Sequence, residues 1–216
     1  MADALDVALA GEPVQLLADR ALYWPARRRL LIADLHLGKG DVFRAAGIPV
    51  PTGGTAHDLA RLDALLRATG ARSLWVLGDF LHGPRHAGVD VAWRAFRQAH
   101  AQVHMAVVRG NHDHSFAADA AGVDELGDGT RDGPFAFRHA PHATGRAADG
   151  EGAHLLCGHV HPVLRIPGTG AHPLFWLQPG CTVLPAFSRF TGGYRVARAD
   201  CTGSVICDGH ALLRLP

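Results

Sequence analysis

The stretch LIADLHLGKG, residues 31–40, sets three apolar residues ahead of an aspartate and a histidine separated by one position, Asp34 and His36. The longer run RRLLIADLH is almost continuously apolar, which fits a strand buried on both faces. Ligands and catalytic groups in α/β sheets collect just past the carboxyl ends of strands. An acid and an imidazole at this point are therefore well placed for chemistry, although the pair alone is a weak signal.

The same pattern recurs along the chain. SLWVLGDF leads to Asp79 and His82, and HMAVVRGNHD to Asn111, His112 and Asp113. PFAFRHAPH leads to His139 and His142, and AHLLCGHVH to His159 and His161. Gly78, Gly110 and Gly158 precede three of these clusters, where glycine permits unusual dihedrals or close approach. Read as positions i and i+2 of a strand, His159 and His161 would point the same way. Taken singly, Gly-Asp is an ordinary turn signal and Gly-Asn-His-Asp can be a simple turn. Turns alone do not explain five such clusters, each after an apolar strand.

Around these strands the periodicity predicts helices early and strands late. Residues 55–69 read as a helix with Leu59, Leu62, Leu65 and Leu66 on one face and Gly70 as its C-cap. Val89, Trp93 and Phe96 mark a second helix, with Asp90 near its start. VQLLAD, ALYWP, LFWLQPG, GYRVARAD and SVICDG read as further strands. This order predicts an α/β (α+β) fold of two packed sheets flanked by helices. The length of 216 residues suits a single domain, 1–216, and HATGRAADGEG at 142–152 reads as an exposed loop.

Bulk properties narrow the function classes. The chain is 48% hydrophobic and 19% charged, as in ordinary globular proteins, and no apolar run is long enough to span a membrane. The N-terminus MADALDVALAGEP has no basic n-region, so a cytoplasmic location is expected. The four cysteines, Cys157, Cys181, Cys201 and Cys207, form no CxxC pair and are expected to be reduced, partly buried thiols. A net charge of +1 is not the global footprint of a nucleic-acid binder, though it leaves room for a local basic patch. Arg27, Arg28 and Arg29 read as a solvated loop.

Carboxylate, carboxamide and imidazole form a mixed oxygen and nitrogen donor set that suits manganese, iron or zinc. Seven candidates, Asp34, His36, Asp79, Asn111, His139, His159 and His161, are too many for one ion. They suit two if a carboxylate bridges, and two ions about 3.5–4 Å apart can clamp a phosphate in an in-line displacement.

In these motifs, Asp34-Leu-His36, Gly-Asp79-Phe-Leu-His82, Gly-Asn111-His112-Asp113 and Gly-His159-Val-His161, the sequence resembles the calcineurin-like metallophosphoesterases, with His139 where that superfamily has a further histidine. DLHLGK at 34–39, GHVHP at 158–162 and LPAFSRFTGG at 184–193 resemble its bacterial ligase-associated DNA-damage-response endonuclease subgroup, PdeM. The resemblance implies a four-layer αββα distorted β-sandwich. It also implies two divalent ions, usually Mn2+, sometimes iron, zinc or nickel. Asp34, His36 and His161 would hold one ion and Asn111, His139 and His159 the other, with Asp79 bridging. A metal-bridging hydroxide would attack the phosphodiester, and His112 would contact the phosphate and protonate the leaving group. Asp113 is expected to fix the His112 tautomer, or else to be a plain turn aspartate. His82, Lys39 and Arg189 are candidate substrate contacts, and FSRFTGG at 187–193 reads either as cleft lining or as a packed corner.

The expected activity is metal-dependent phosphodiester hydrolysis, as a DNA endonuclease in bacterial repair, with DNA as substrate and ligase or helicase as partners implied by the resemblance. A phosphodiesterase acting on cyclic nucleotides or other small phosphodiesters is the alternative, and the near-neutral charge favours it. A binding protein that keeps the fold without catalysis is the rival from another class, and retention of the whole ligand set with His112 argues against it. Of the other histidines, His86, His114 and His142 read as surface residues. His57, His100, His104, His154, His172 and His210 read as structural. The sequence leaves the oligomeric state open.

Overall fold

Alternation of apolar residues with turn residues builds the first sheet from the first 126 residues. The computed structural model describes residues 3–84, 87–141 and 152–216. In it, β1 (Ala4–Leu9), β2 (Glu12–Leu17), β3 (Ala21–Trp24), β4 (Arg29–Ala33), β5 (Ser73–Leu77), β6 (His104–Val108) and β7 (Asp124–Leu126) lie side by side in chain order. β1 through β4 pair antiparallel, and β4 through β7 pair parallel. Parallel neighbours need crossovers. α1 (Lys39–Ala45) and α2 (Gly54–Thr69) supply the first, α3 (Ala87–Ala99) the second and the short α4 (Ala118–Ala121) the third.

The second half builds a facing sheet. β8 (Thr130–Asp132), β9 (Phe135–Phe137), β10 (His154–Cys157), β11 (Pro162–Ile166), β12 (Gly170–Gln178), β13 (Cys181–Val183) and β14 (Tyr194–Arg195) run in the order β14-β11-β12-β13-β10-β9-β8. β15 (Val205–Cys207) joins β12, and β16 (Leu212–Arg214) pairs with β15.

The continuous apolar runs have the cause anticipated for them. β4 is buried along its whole length because its two faces enter two different cores. Leu30 and Ile32 pack with Leu59, Leu62, Leu65 and Leu66 of α2 and with Trp93 of α3. Leu31 and Ala33 face the second sheet, packing with Phe135, Phe137, Leu156 and Phe175. β5 and β6 divide in the same way, with Leu74, Val76, Met105 and Val107 toward the helices and Trp75, Leu77, Ala106 and Val108 toward the sheet. Edge-to-face pairs, Trp24 with Phe135 at 4.9 Å and Trp75 with Phe137 at 4.8 Å between ring centroids, lock the two sheets together. Each fully buried leucine or phenylalanine contributes about 1.5–3 kcal/mol, so this double-sided core holds β4, β5 and β6 rigidly. Their carboxyl ends then make a firm platform.

The mixed α/β fold of two sheets with helices outside is thus present, the described α-helices all falling within residues 39–121. β1 and α1 were not anticipated. Gly70 caps α2 in the left-handed region, at φ 59°. GYRVARAD forms only the two-residue β14, followed by a 3-10 turn. Arg27 and Arg28 are exposed in a turn as expected, but Arg29 departs from the solvated loop. Arg29 is 9% exposed, lies 3.6 Å over the Trp75 ring and shares Asp132 with Arg27 at 2.8 and 2.9 Å. Its strand position turns it inward, where an aromatic face and a carboxylate take the charge. The four thiols are free and buried. No described helix is long and apolar enough to cross a membrane. His86, His142 and most of the 142–152 segment lie outside the described residues.

Candidate metal centre

All seven ligand candidates meet where the loops after β4, β5, β6, β9 and β10 converge. One group of donor atoms comes from Asp34, His36, Asp79 and His161 and a second from Asp79, His139 and His159, the atoms of each lying within 4.8 Å of one another. Asp79 belongs to both. Asn111 Oδ1 lies 2.8 Å from His139 Nε2, beside the second group, and His159 Nδ1 lies 2.9 Å from the same nitrogen. His36 Nε2 and His161 Nε2 are 3.4 Å apart in the first group.

The backbone reaches this arrangement by a route the strand pattern does not predict. Asp34, His36, Asp79, His159 and His161 all have positive φ, between 46° and 69°. β10 ends at Cys157, so His159 and His161 are not on a strand. They converge through successive left-handed turns, and the expected strand geometry is corrected accordingly. Non-glycine residues held there cost on the order of 1–3 kcal/mol each and persist only where the surroundings over-determine them. Here the loops after β4 and β5 are zipped together: Asp34 N–H donates to Gly78 O, His36 N–H to Asp79 O, Leu37 N–H to Phe80 O and His82 N–H to Leu37 O, at 2.8–3.2 Å. Two glycines make room. A Cβ on Gly78 would collide with the His139 ring, and one on Gly158 would lie 2.5 Å from Ala33 Cβ and 2.6 Å from Asp34 Oδ2.

The electrostatics favour neutral imidazoles. Burial holds His36 far below the usual histidine range, aided by the positive charge of Lys39 and by His161, His82 and His112. His82 is lowered to about 4, first by burial and then by Lys39 and His112. His159 is lowered by burial and by His139. Neutral imidazole is the form that ligates metals. Asp34 is fully buried; its Oδ2 accepts the His159 N–H at 2.9 Å, while its Oδ1 has no hydrogen-bond partner. A buried, orphaned carboxylate oxygen is costly unless a cation satisfies it. The donors present fit divalent ions.

The neighbours of the donor set divide into several roles. His112 N–H donates to Asp79 Oδ1 at 2.8 Å, and its ring stacks on His82 at 4.6 Å between centroids. His82 Nδ1 also lies 3.2 Å from His36 Nδ1, so it sits directly against the donor set. Lys39 is 8% exposed and feels the carboxylates of Asp34 and Asp79, so it is no solvated charge. Arg189 is exposed on the rim. Asp113 requires correction: its carboxylate does not reach His112 but accepts the N–H groups of Phe80, Leu81 and Gly110 at 3.2, 2.8 and 2.8 Å. It is a positioning residue that ties the loop after β6 to the loop after β5.

The segment 187–193 turns out to be both of its alternatives. Phe187 is fully buried, and the main-chain N–H groups of Phe187 and Ser188 bind Ala33 O and Asp34 O, which braces the first ligand. Arg189, Thr191, Gly192 and Gly193 line an adjoining groove. Of the remaining histidines, His100 pairs with Asp63 and His154 with Thr182, both away from the centre. Sequence reasoning missed Arg20, which follows the β2 turn with no signal in its surroundings.

A convergent carboxylate, carboxamide and imidazole set at the carboxyl ends of facing sheets defines a metal-dependent phosphoesterase. Among solved structures, nuclease MPE from Pseudomonas putida matches at 30% identity over 99% of this chain and 100% of its own, with a TM-score of 0.84. The chain belongs to the calcineurin-like metallophosphoesterase family, together with that nuclease. Two other structures match with TM-scores of 0.43: the Aquifex aeolicus protein AQ665, at 22% identity over 66% of this chain and 81% of its own, and the E. coli phosphoesterase Yfce, at 16% over 77% and 83%. No family model and no curated protein matches.

Proposed function

We propose that the protein is a two-metal phosphodiesterase whose substrate is DNA, acting as an endonuclease from a single catalytic domain. The observation that carries this reading is the pair of donor groups sharing Asp79, with the His112 ring beside them. The relative's description as a nuclease supports the choice of substrate. Asp34, His36 and His161 would hold one ion, Asn111, His139 and His159 the other, and Asp79 both. When bound, such ions supply Lewis acidity that neutralises phosphate charge and lowers the pKa of water.

The chain's own residues do the rest. Its main-chain bond to Asp79 and its stack on His82 fix where the His112 ring stands. From there its N–H gives a proton to the departing sugar oxygen, so that imidazolium and developing alkoxide become imidazole and alcohol. Lys39, with an ammonium that carboxylates already attract, offers its charge to a non-bridging phosphate oxygen.

Plasmid nicking tests the substrate. Supercoiled plasmid should be nicked with manganese and left intact with chelator. Hydrolysis of cyclic nucleotides without any nicking, under every divalent metal, would assign small phosphodiesters instead.

A further inference from the structure

A groove of about 330 Å³ opens beside His161 and is lined by Arg20, Arg189 and Arg195 with no acidic residue. It lies at the low end of the volumes that hold small ligands, about 300–1,000 Å³, room for one phosphate with its sugar and not for a duplex. The three guanidiniums come from distant points of the chain: the turn after β2, the segment beyond β13, and β14. Arg20 is partly buried and donates to Ala186 O and Ser188 O at 3.4 and 3.3 Å, while its buried Nε has no partner. Asp58 attracts it without an ion-pair contact, while Arg61 and Arg189 are close enough to repel it. Among the described residues none of the three has a carboxylate in ion-pair contact, whereas Arg27, Arg29, Arg61, Arg67 and Arg109 all do.

Positive charges gathered without an ion-paired carboxylate repel one another. Such a cluster is a ready site for an anion. The spacing of functions favours one anion in particular. His161 belongs to both the donor set and the groove wall, so a chain with its scissile phosphate at Asp79 would run directly into the groove. Arg20 also grips the main chain of Ala186 and Ser188, the segment whose N–H groups brace Asp34.

We propose that this groove seats the backbone phosphate next to the scissile one on a DNA strand, with Arg20, Arg189 and Arg195 as its contacts. This rests on the nuclease reading above. It also accounts for how a chain with a net charge of only +1 holds a polyanion, through one local patch.

The test is binding of a short fluorescein-labelled phosphorothioate strand to the metal-loaded protein across a salt series, followed by anisotropy. Each phosphate contact on a single strand contributes about 0.7 to the slope of log K against log salt. The double variant Arg189→Ala/Arg195→Ala should lower that slope by about 0.7, the share of the one phosphate the groove seats. Arg189→Lys/Arg195→Lys should keep it, and Arg94→Ala, on the exposed face of α3, should leave it unchanged. A double alanine variant with the full wild-type slope, when the wild type binds and nicks DNA, overturns the groove alone. A wild type that neither binds the strand nor nicks plasmid removes the nuclease reading, and this proposal with it.

Discussion

Asp113→Ala separates bracing from chemistry at this site. The carboxylate is 1% exposed and accepts three main-chain N–H groups, from Phe80, Leu81 and Gly110. Truncation leaves these donors without a partner. Gly110 is only half-buried, so water can reach its N–H, but Phe80 and Leu81 are 2% and 4% exposed. An unsatisfied buried donor costs about 1–3 kcal/mol, so the two together predict a loss of about 2–6 kcal/mol. That is a large share of the roughly 5–15 kcal/mol that holds a typical domain together. Urea unfolding of the metal-loaded protein measures it as a fall in midpoint at constant slope. The pH–rate profile of whatever folded protein remains should keep its shape, because Asp113 does not touch His112. The reasoning is refuted by a loss below about 0.5 kcal/mol, the size of an ordinary surface change, combined with a displaced pH–rate profile.

Other outcomes follow from the same geometry. Gly158→Ala places a Cβ 2.6 Å from Asp34 Oδ2, so it should weaken metal binding as well as destabilise the fold by the roughly 1–3 kcal/mol of an overpacked site, both readable by calorimetry. Chelation should lower the melting temperature, since free metal at about 100 times its Kd stabilises by about 2.7 kcal/mol, and adding manganese back should restore it. Arg27 and Arg29 hold Asp132 below the usual carboxylate range. A lowered acid contributes stability above its unfolded pKa of about 3.9 and loses it as pH falls through the folded value. Wild type should therefore lose more stability than Asp132→Asn between neutral pH and acid; parallel acid-unfolding curves would refute the pairing.

Much of this site is legible in the sequence because two physical signals coincide there. RRLLIADLH, SLWVLGDF and HMAVVRGNHD are apolar on both faces because helices cover one side and a second sheet the other, and each run ends on donor residues. The fold and the ligand candidates follow from that coincidence. What stays hidden depends on contacts made at long range. Periodicity cannot reveal that Asp34, His36, Asp79, His159 and His161 adopt left-handed conformations, because long-range contacts hold them: main-chain bonds between the loops after β4 and β5 for the first three, and the bonds of His159 N–H to Asp34 Oδ2 and of Tyr194 N–H to His161 O for the other two. Asp113 looked like a partner for the adjacent His112, yet tertiary packing turns it onto the loop after β5. Arg29 looked solvated because sequence carries no record of burial. Arg20 carries no motif at all and gains its place only when residues 186–188 fold against it.

The central claim is that Asp79 is shared between two ions. Anomalous diffraction from crystals of manganese-loaded protein tests it most directly. The account predicts two peaks about 3.5–4 Å apart, one among Asp34, His36 and His161 and the other among Asn111, His139 and His159, with Asp79 between them. A single peak, or a pair that Asp79 does not touch, would contradict it.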